Sequence, residues 1–342
     1  MILGCLWAEF TLYILWKHCV DNPLAMVLAS LPLLPFLFYG FARTAKPGMF
    51  RRICNLIGAA LLSADCYFMI ISAGIGLLLP IPGILSYAKY LLIADISLCA
   101  LAVFVGMIYA RHVRVTRYTV HLKGAKSCKI AFFSDLHLGD FCSLGHLTNI
   151  VNKMQNESPD LVLYGGDLVD MDLPKEKKLQ KYIKQLSKLG TVIACQGNHD
   201  LNDDNNERLA PFLKKAGIVM LLDEGITDEN TKMKIVGRKS IKKERQSAAA
   251  LCQNRYDILL DHDPKGVKEA LCENCPLILC GHTHKGQTFP GNIIRGLITP
   301  YFYGKYEENG KTVITTSGCG ATGLPLRLFV TNEIVVISII SD

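Results

Sequence analysis

Two histidines stand one residue apart in Gly281-His282-Thr283-His284, directly behind the apolar run 276–280. On a helix, side chains at i and i+2 diverge; in extended chain they share a side. An extended 282–284 segment would therefore aim both imidazoles at a common target. Four other polar clusters are placed the same way. Asp135-Leu136-His137 follows KIAFFS, Gly165-Gly166-Asp167 follows DLVLY, Gly197-Asn198-His199-Asp200 follows TVIAC and Gln196, and Asp261-His262-Asp263 follows YDILL. The donors on offer are carboxylates, imidazoles and an amide oxygen, with no thiolate among them. Asp135, His137, Asp167, Asn198, His262, His282 and His284 are enough to hold two divalent metal ions, because one carboxylate can bridge a pair and leave positions for water. Paired cations suit in-line displacement at phosphorus, where they stabilise the entering and the leaving oxygen. This mixture of nitrogen and oxygen is compatible with manganese, iron or zinc and does not choose among them. His18, His112, His121 and His146 lie outside the clusters.

Something must bring five loops together. Residues 111–342 alternate short apolar runs with amphipathic stretches, the pattern of an α/β domain. Strands are expected at 129–134, 160–164, 191–195, 218–222, 232–237, 256–260, 277–280, 312–316 and 328–339. Helices are expected at 145–156, 174–189, 205–216, 246–253 and 264–272. Every polar cluster then falls at the carboxyl end of a strand, where α/β folds collect their ligands. Helix 174–189 carries Leu179, Ile183 and Leu186 on one face and a run of lysines on the others. That run reads as a solvated face, with contact to anionic lipid headgroups as the sharper alternative.

The first 110 residues are of another kind. The chain has 342 residues, is half apolar and carries a net charge of +7, and its mean hydropathy is +0.25. The apolar excess sits in four stretches, about 1–20, 24–43, 54–80 and 86–110, each near the ~20 residues that cross a bilayer. An all-α transmembrane region is expected at 1–110, ahead of a domain at 111–342. Arg43, Lys46, Arg51 and Arg52 in one loop, and Arg111, Arg114, Arg117, Lys123 and Lys126 after the last span, outweigh Lys17 and Lys89. This asymmetry predicts a multi-pass cell-membrane protein with both termini and the C-terminal domain on the cytoplasmic side. The 13 cysteines form no regular framework, which suits a reducing compartment. Met1-Ile2-Leu3-Gly4 lacks the basic start of a cleaved signal peptide. No aromatic-interleaved basic run of a nucleic-acid reader is present.

Taken in order, DLHLG, GDLVD, GNHD, LLDHDP and GHTHKGQ resemble the calcineurin-like metallophosphoesterases. The likeness is to their membrane-associated branch, which includes UDP-2,3-diacylglucosamine pyrophosphatase-type enzymes. It extends over about 115–342, including the closing SGCGATGLPLRLF, and leaves 1–110 unexplained. It implies a two-sheet α/β-β/α sandwich. It also implies that Asp135, His137 and His284 hold one metal, that Asn198, His262 and His282 hold the other, and that Asp167 bridges them. A metal-bridging hydroxide would attack phosphorus. His199 would protonate or stabilise the leaving oxygen, and Asp200 would orient His199. Asp170 is expected at a helix start or behind the ligands.

The expected function is therefore a membrane-anchored dinuclear hydrolase of a phosphodiester or pyrophosphate bond, its substrate lipid-linked or nucleotide-linked. The alternative is a membrane binding or transport protein with a phosphoesterase-like regulatory domain. Two motifs compete for attention. Gly318-Cys-Gly320-Ala-Thr-Gly323 spells a dinucleotide fingerprint, but Pro325 follows where a helix should open. Cys272-Glu-Asn-Cys275 is a single CxxC without a second pair. Glu9, Asp65 and Asp95 within the spans are either functional or interfacial and bonded within the bundle. The loop 238–245, rich in Arg and Lys, is either a phosphate contact or a solvated turn.

Overall fold

The computed structural model describes residues 2–19, 37–38, 40–41, 49–139, 142–169, 176–200, 206–253, 255–271, 274–322 and 326–342. The chain forms two compact units. The first comprises Met1–Ile108 with Gly323–Leu328, and the second Tyr109–Thr322 with Phe329–Asp342.

The first unit contains α1 (Ile2–Cys19), α2 (Met49–Gly76) and α3 (Ala88–Tyr109). Among the described residues, two helical segments, Met49–Gly76 and Ile84–Tyr109, are long and apolar enough to cross a bilayer. A core helix of a soluble protein would bury its aliphatic side chains. Here Ile57, Ile70, Ile93, Leu98, Leu101 and Phe104 are exposed, Phe104 by 63%, a large apolar surface of the kind that marks an interaction site. Between the two helices, Ser72 Oγ donates to the buried Asp95 at 2.5 Å, and Cys99 Sγ donates to the Ala64 carbonyl at 3.3 Å. Asp95 is thus bonded within the helix pair. The side chain of Glu9 and most of the stretch 24–43 lie outside the described residues.

The second unit is built on two six-stranded sheets. Its strands are β1 (Val113–Leu122), β2 (Cys128–Phe133), β3 (Leu161–Tyr164), β4 (Val192–Cys195), β5 (Ile218–Leu221), β6 (Glu224–Thr227), β7 (Lys234–Gly237), β8 (Ile258–Leu260), β9 (Leu277–Cys280), β10 (Gly304–Glu308), β11 (Lys311–Thr315) and β12 (Asn332–Ser341). One sheet runs β1-β12-β2-β3-β4-β5 and the other β10-β11-β9-β8-β7-β6. Strands β2 to β5 are mutually parallel, as are β7, β8, β9 and β11. Strand periodicity explains the layering. Ile130 and Phe132, Leu161 and Leu163, and Ile193 and Cys195 point from the first sheet toward Ile235, Ile258, Leu260, Leu277 and Leu279 of the second, forming the central core.

The alternate residues face outward onto helices. Ala131, Phe133, Val162, Tyr164, Val192 and Ala194 meet α4 (Leu144–Asn156), α5 (Glu176–Leu186) and α6 (Asn206–Ala216). Val236, Leu259, Ile278, Cys280 and Val313 meet α7 (Ala248–Leu251) and α8 (Val267–Ala270). The result is the two-sheet α/β-β/α sandwich that the resemblance implied. One more helix among the described residues, α9 (Gly291–Ile298), was not expected. Neither were β1, β6 and β10. The β1 segment had read only as the basic stretch after the last span; it is an edge strand on which Arg114 and Arg117 are both exposed, on opposite faces.

Several ambiguous motifs resolve. In α5, Leu179, Tyr182 and Leu186 are buried, Lys178 Nζ bonds the Gly139 carbonyl at 2.7 Å, and Lys177, Lys181 and Lys184 are exposed. Cys275 is buried with its Sγ on the Leu277 carbonyl, while Cys272 lies outside the described residues. No helix follows Gly318-Cys319-Gly320 among the described residues. That turn instead donates from Cys319 N to the Ser134 carbonyl and from Gly320 N to the Asp135 carbonyl.

Arg238 corrects the reading of 238–245 as either a solvated or a substrate-facing turn. Its side chain is 1% exposed. It bonds Asp261 at 3.1 Å, Glu269 at 3.0 Å and the Gln246 carbonyl at 2.9 Å. Arg245 reaches the other oxygen of Asp261 at 3.0 Å. Burial pushes the Asp261 carboxyl up, and the two guanidinium groups hold it back. Removing one partner from such a buried pair leaves the other charge undercompensated, at a cost of about 3 kcal/mol. Arg238→Met should therefore lower the thermal unfolding midpoint of the detergent-solubilised chain by several degrees. Lys242→Met, at an exposed position of the same loop, should leave the midpoint unchanged.

Candidate metal centre

All five polar clusters emerge from carboxyl ends of strands: β2, β3 and β4 of one sheet, β8 and β9 of the other. Their donor atoms converge in three groups: Asp135, His137 and His284; His137, Asp167 and His199; and Asp167, His262 and His282. Within each group, ligand atoms lie within 4.8 Å of one another. His137 Nε2 and His284 Nε2 are 3.1 Å apart. His284 Nε2 is 3.3 Å from Asp135 Oδ1, and His262 Nε2 is 3.1 Å from Asp167 Oδ2. Asp167 is shared between two of the groups. His137 Nε2 at 3.9 Å and His262 Nε2 approach the same Asp167 oxygen from the two sides.

Do these residues fit metal ions? Two donors on one cation at about 2.1 Å stand roughly 3.0–3.4 Å apart in tetrahedral to octahedral geometry, and the three shortest separations match. His262 Nδ1 is 2.7 Å from the Gly165 carbonyl, an arrangement that turns the Nε2 lone pair inward, as metal-bound histidines require. Asn198 Oδ1 is buried without a hydrogen-bond partner. The donor set is nitrogen and oxygen throughout. On each count the residues fit.

The electrostatics agree. Burial pushes the Asp135 carboxyl up to about 6, against the pull of His262. Burial also pushes on Asp167, but His262, His137 and His199 together hold it far below the usual carboxylate range. Burial works against a charged His262, yet Asp167 and Asp135 raise it to about 10. Burial and the neighbouring His262 lower His282 to about 4. The cluster has a field that attracts positive charge to the space between Asp135 and Asp167.

The local backbone differs from expectation. Asp135, His137, Asp167, His282 and His284 all have positive φ, at 56°, 46°, 58°, 68° and 50°, in the left-handed region that L-residues enter at about 1–2 kcal/mol each. Between the last two, Thr283 is right-handed at φ −75°, ψ −21°. The 282–284 segment is a turn and not extended chain, so its two imidazoles diverge toward different groups. Thr283 fixes the turn by donating from Oγ1 to the Phe302 carbonyl at 2.7 Å and accepting from Lys285 N. Gly281 is needed for close approach: a Cβ there would lie 2.6 Å from Asp135 Oδ2. A Cβ at Gly197 would lie 2.1 Å from the Asp167 backbone and carboxylate.

Asp200 has a different task from the expected one of orienting His199. Its oxygens accept from the backbone N–H of Asp167 at 2.9 Å, Leu168 at 2.9 Å, Val169 at 3.3 Å and Gly197 at 2.9 Å. It ties the loop after β4 to the loop after β3. His199 is held through its backbone, which donates to Asp167 Oδ1 at 2.7 Å, while its ring packs edge-on against His137 at 4.8 Å between centroids. Asp170 lies outside the described residues. Two contributors were not singled out from the sequence. Ser134 bonds Asp135 through its hydroxyl. Asp263 starts the 264–266 turn and lies 3.6 Å from His282 Nε2; its place before Pro264 was the available signal.

The calcineurin-like phosphoesterase model matches residues 128–286. An uncharacterized metallophosphoesterase of Campylobacter jejuni is 31% identical over 267 residues, which is 72% of this chain and 70% of the relative. The chain belongs to the calcineurin-like metallophosphoesterases. A transmembrane protein with metallophosphoesterase domain from Danio rerio is 29% identical over 227 residues, 60% of this chain and 52% of the relative. Phosphodiesterase YaeI of Escherichia coli is 30% identical over 165 residues, 46% of this chain and 61% of the relative. The chain thus matches only about half to two thirds of the last two. None of the three carries the name of the UDP-2,3-diacylglucosamine branch.

For this metallophosphoesterase, the Asp200 bonds give a testable consequence. An amide in place of the Asp200 carboxylate would present donors to some of the four N–H groups, loosen the Asp167 loop and open the shared corner. Asp200→Asn should therefore lower metal content per purified chain as well as activity, measured by inductively coupled plasma mass spectrometry. Metal content equal to wild type would assign Asp200 to His199 after all.

Proposed function

We propose that this metallophosphoesterase works on the surface of a membrane that it spans, hydrolysing a phosphodiester or pyrophosphate bond in a lipid-linked or nucleotide-linked substrate. The observation that carries the reading is the chain of three donor groups, linked through His137 and then through Asp167. Asp135, His137 and His284 would hold one divalent cation, and Asn198, His262 and His282 the second, with Asp167 between them. Manganese, iron and zinc all suit the set. When bound, the cations would polarise the phosphoryl oxygens and activate a water molecule as nucleophile.

The chain's own residues supply the rest. The His199 ring, at the edge of the cluster beside His137 and only part-buried, is accessible to substrate and has the chemistry to give a proton to the departing oxygen. Asp200 holds the backbone that carries both Asp167 and His199. The helical segments Met49–Gly76 and Ile84–Tyr109 support an anchor, and the Danio rerio relative's name is consistent with one. The basic residues after α3 support a cytoplasmic position for the second unit. The complete donor set favours hydrolysis over a purely regulatory domain.

Manganese-loaded full-length protein should hydrolyse bis(p-nitrophenyl) phosphate, lose activity with a chelator and regain it on metal addition. His199→Ala should reduce kcat by about 10²–10⁴-fold, the usual contribution of a general acid, with metal content preserved. Asp167→Asn should lose both metal and activity. Full rate in His199→Ala, or no turnover with manganese, iron or zinc, would sink this reading.

A further inference from the structure

Helix α9, GNIIRGLI, reverses the usual arrangement of an amphipathic surface helix. Amphipathic helices on soluble domains turn their apolar stripe inward. None of the residues of α9 is buried. Ile293, Ile294, Leu297 and Ile298 are all exposed, the last two by 81% and 76%. At 100° per residue these positions cover a single arc of about 140°. The inner side carries Asn292, whose Oδ1 is buried, flanked by glycines that let the backbone come close. A Cβ at Gly296 would lie 3.2 Å from the Phe302 ring, and one at Gly291 would lie 2.8 Å from the Gly286 carbonyl oxygen. The helix is held by backbone contact, with its aliphatic face turned to solvent.

The patch extends beyond the helix. Phe289, next to the Pro290 that precedes α9, meets Phe329 edge-on at 6.1 Å, and Phe329 is 63% exposed. Arg295, also exposed, lies about 60° outside the aliphatic arc. A basic side chain in that position stretches its stem along the apolar surface and carries its charge to phosphate level.

We propose that α9 with Phe329 inserts into the headgroup and upper acyl region of the bilayer, as an interfacial docking element beside the metal centre. The chain itself selects this occupant over a protein partner. Only residues 110–112 separate the end of α3 from the start of β1, a reach of roughly 10 Å in extended chain. With α3 in the bilayer, the second unit begins at the membrane surface in every copy and meets lipid at high effective concentration. Insertion also has a consequence for the site. Gly286 ends the short turn that starts at His284, and α9 packs on that glycine. Docking would thus bring the His284 side of the cluster to the depth of lipid phosphates. The inference rests on the anchoring proposed above and not on the hydrolytic reading.

The test uses the full chain in nanodiscs of phosphatidylcholine and phosphatidylglycerol, with a photoreactive residue introduced as Leu297→p-benzoylphenylalanine. After irradiation, mass spectrometry should find phospholipid adducts at position 297 and none for Lys242→p-benzoylphenylalanine. Cross-links from 297 to a second copy or to residues 1–108, or no adduct, would overturn the proposal. Extraction of the chain from native membranes by alkaline carbonate would overturn both the anchor and the docking. A second readout compares a phosphodiester lipid in vesicles with soluble bis(p-nitrophenyl) phosphate. The ratio of the two kcat/KM values should fall at least tenfold in the Leu297→Asp, Ile298→Asp double variant, and an unchanged ratio would count against docking. Absence of turnover on both substrates would sink the hydrolytic reading and leave the cross-linking result to decide this one.

Discussion

Carboxylates and imidazoles packed 3–4 Å apart and out of water do not stay together on their own account. Each buried charge loses its hydration, which the attraction between neighbouring opposite charges must offset. The contact between His262 Nε2 and Asp167 Oδ2, at 3.1 Å, is the centre of this problem, since it joins the two sheets at the point where their charges meet. Much of the second unit can be understood as the frame that holds this contact. Two apolar sheets give a rigid base. Their parallel strands end side by side, and each end delivers one loop to the same place.

The loops reach their positions through backbone conformations that cost energy. Five donor residues in the left-handed region amount to several kcal/mol of local strain. Hydrogen bonds that are not themselves part of the cluster oppose it. Asp200 gathers four amide N–H groups. Thr283 pins the turn between His282 and His284. Arg238 and Arg245 clamp Asp261, the residue before His262. Asp200 and Thr283 fix main chain and the two arginines fix a carboxylate, and none of the four is among the clustered donors. Such preorganisation is what a metal site needs, because ligands that are already in place lose little freedom when the ion arrives.

The candidate donors stood out in the sequence because each follows an apolar run that reads as a buried strand. Spacing, residue type and strand end coincide at Asp135, Asp167, Asn198, His262 and His282. What the sequence did not reveal was the geometry between them. Alternation predicts an extended 282–284, and nothing in a histidine's chemistry announces a left-handed φ. Asp200 misled for a related reason: adjacency to His199 suggested a side-chain partner, while the folded loop turns its carboxylate to amides about thirty residues away in sequence. Edge strands β1, β6 and β10 were missed because they carry charged or exposed residues. Edges are where strands shed the hydrophobic signature that reveals them.

Helix α9 escaped for the opposite reason, and the contrast is instructive. Sequence reading finds helices by the stripe they bury, and assumes that an apolar stripe and an inward face are the same thing. In α9 the two are separated. Gly291 and Gly296 allow close backbone approach, and the small polar Asn292, not an aliphatic residue, is turned inward between them. The aliphatic residues are then free to face outward, which costs solubility in water and gains only if something apolar lies outside. The anchor proposed for Met49–Gly76 and Ile84–Tyr109 would supply that apolar phase. On the docking proposed above, the exposed face of α9 is the surface that such a phase would cover.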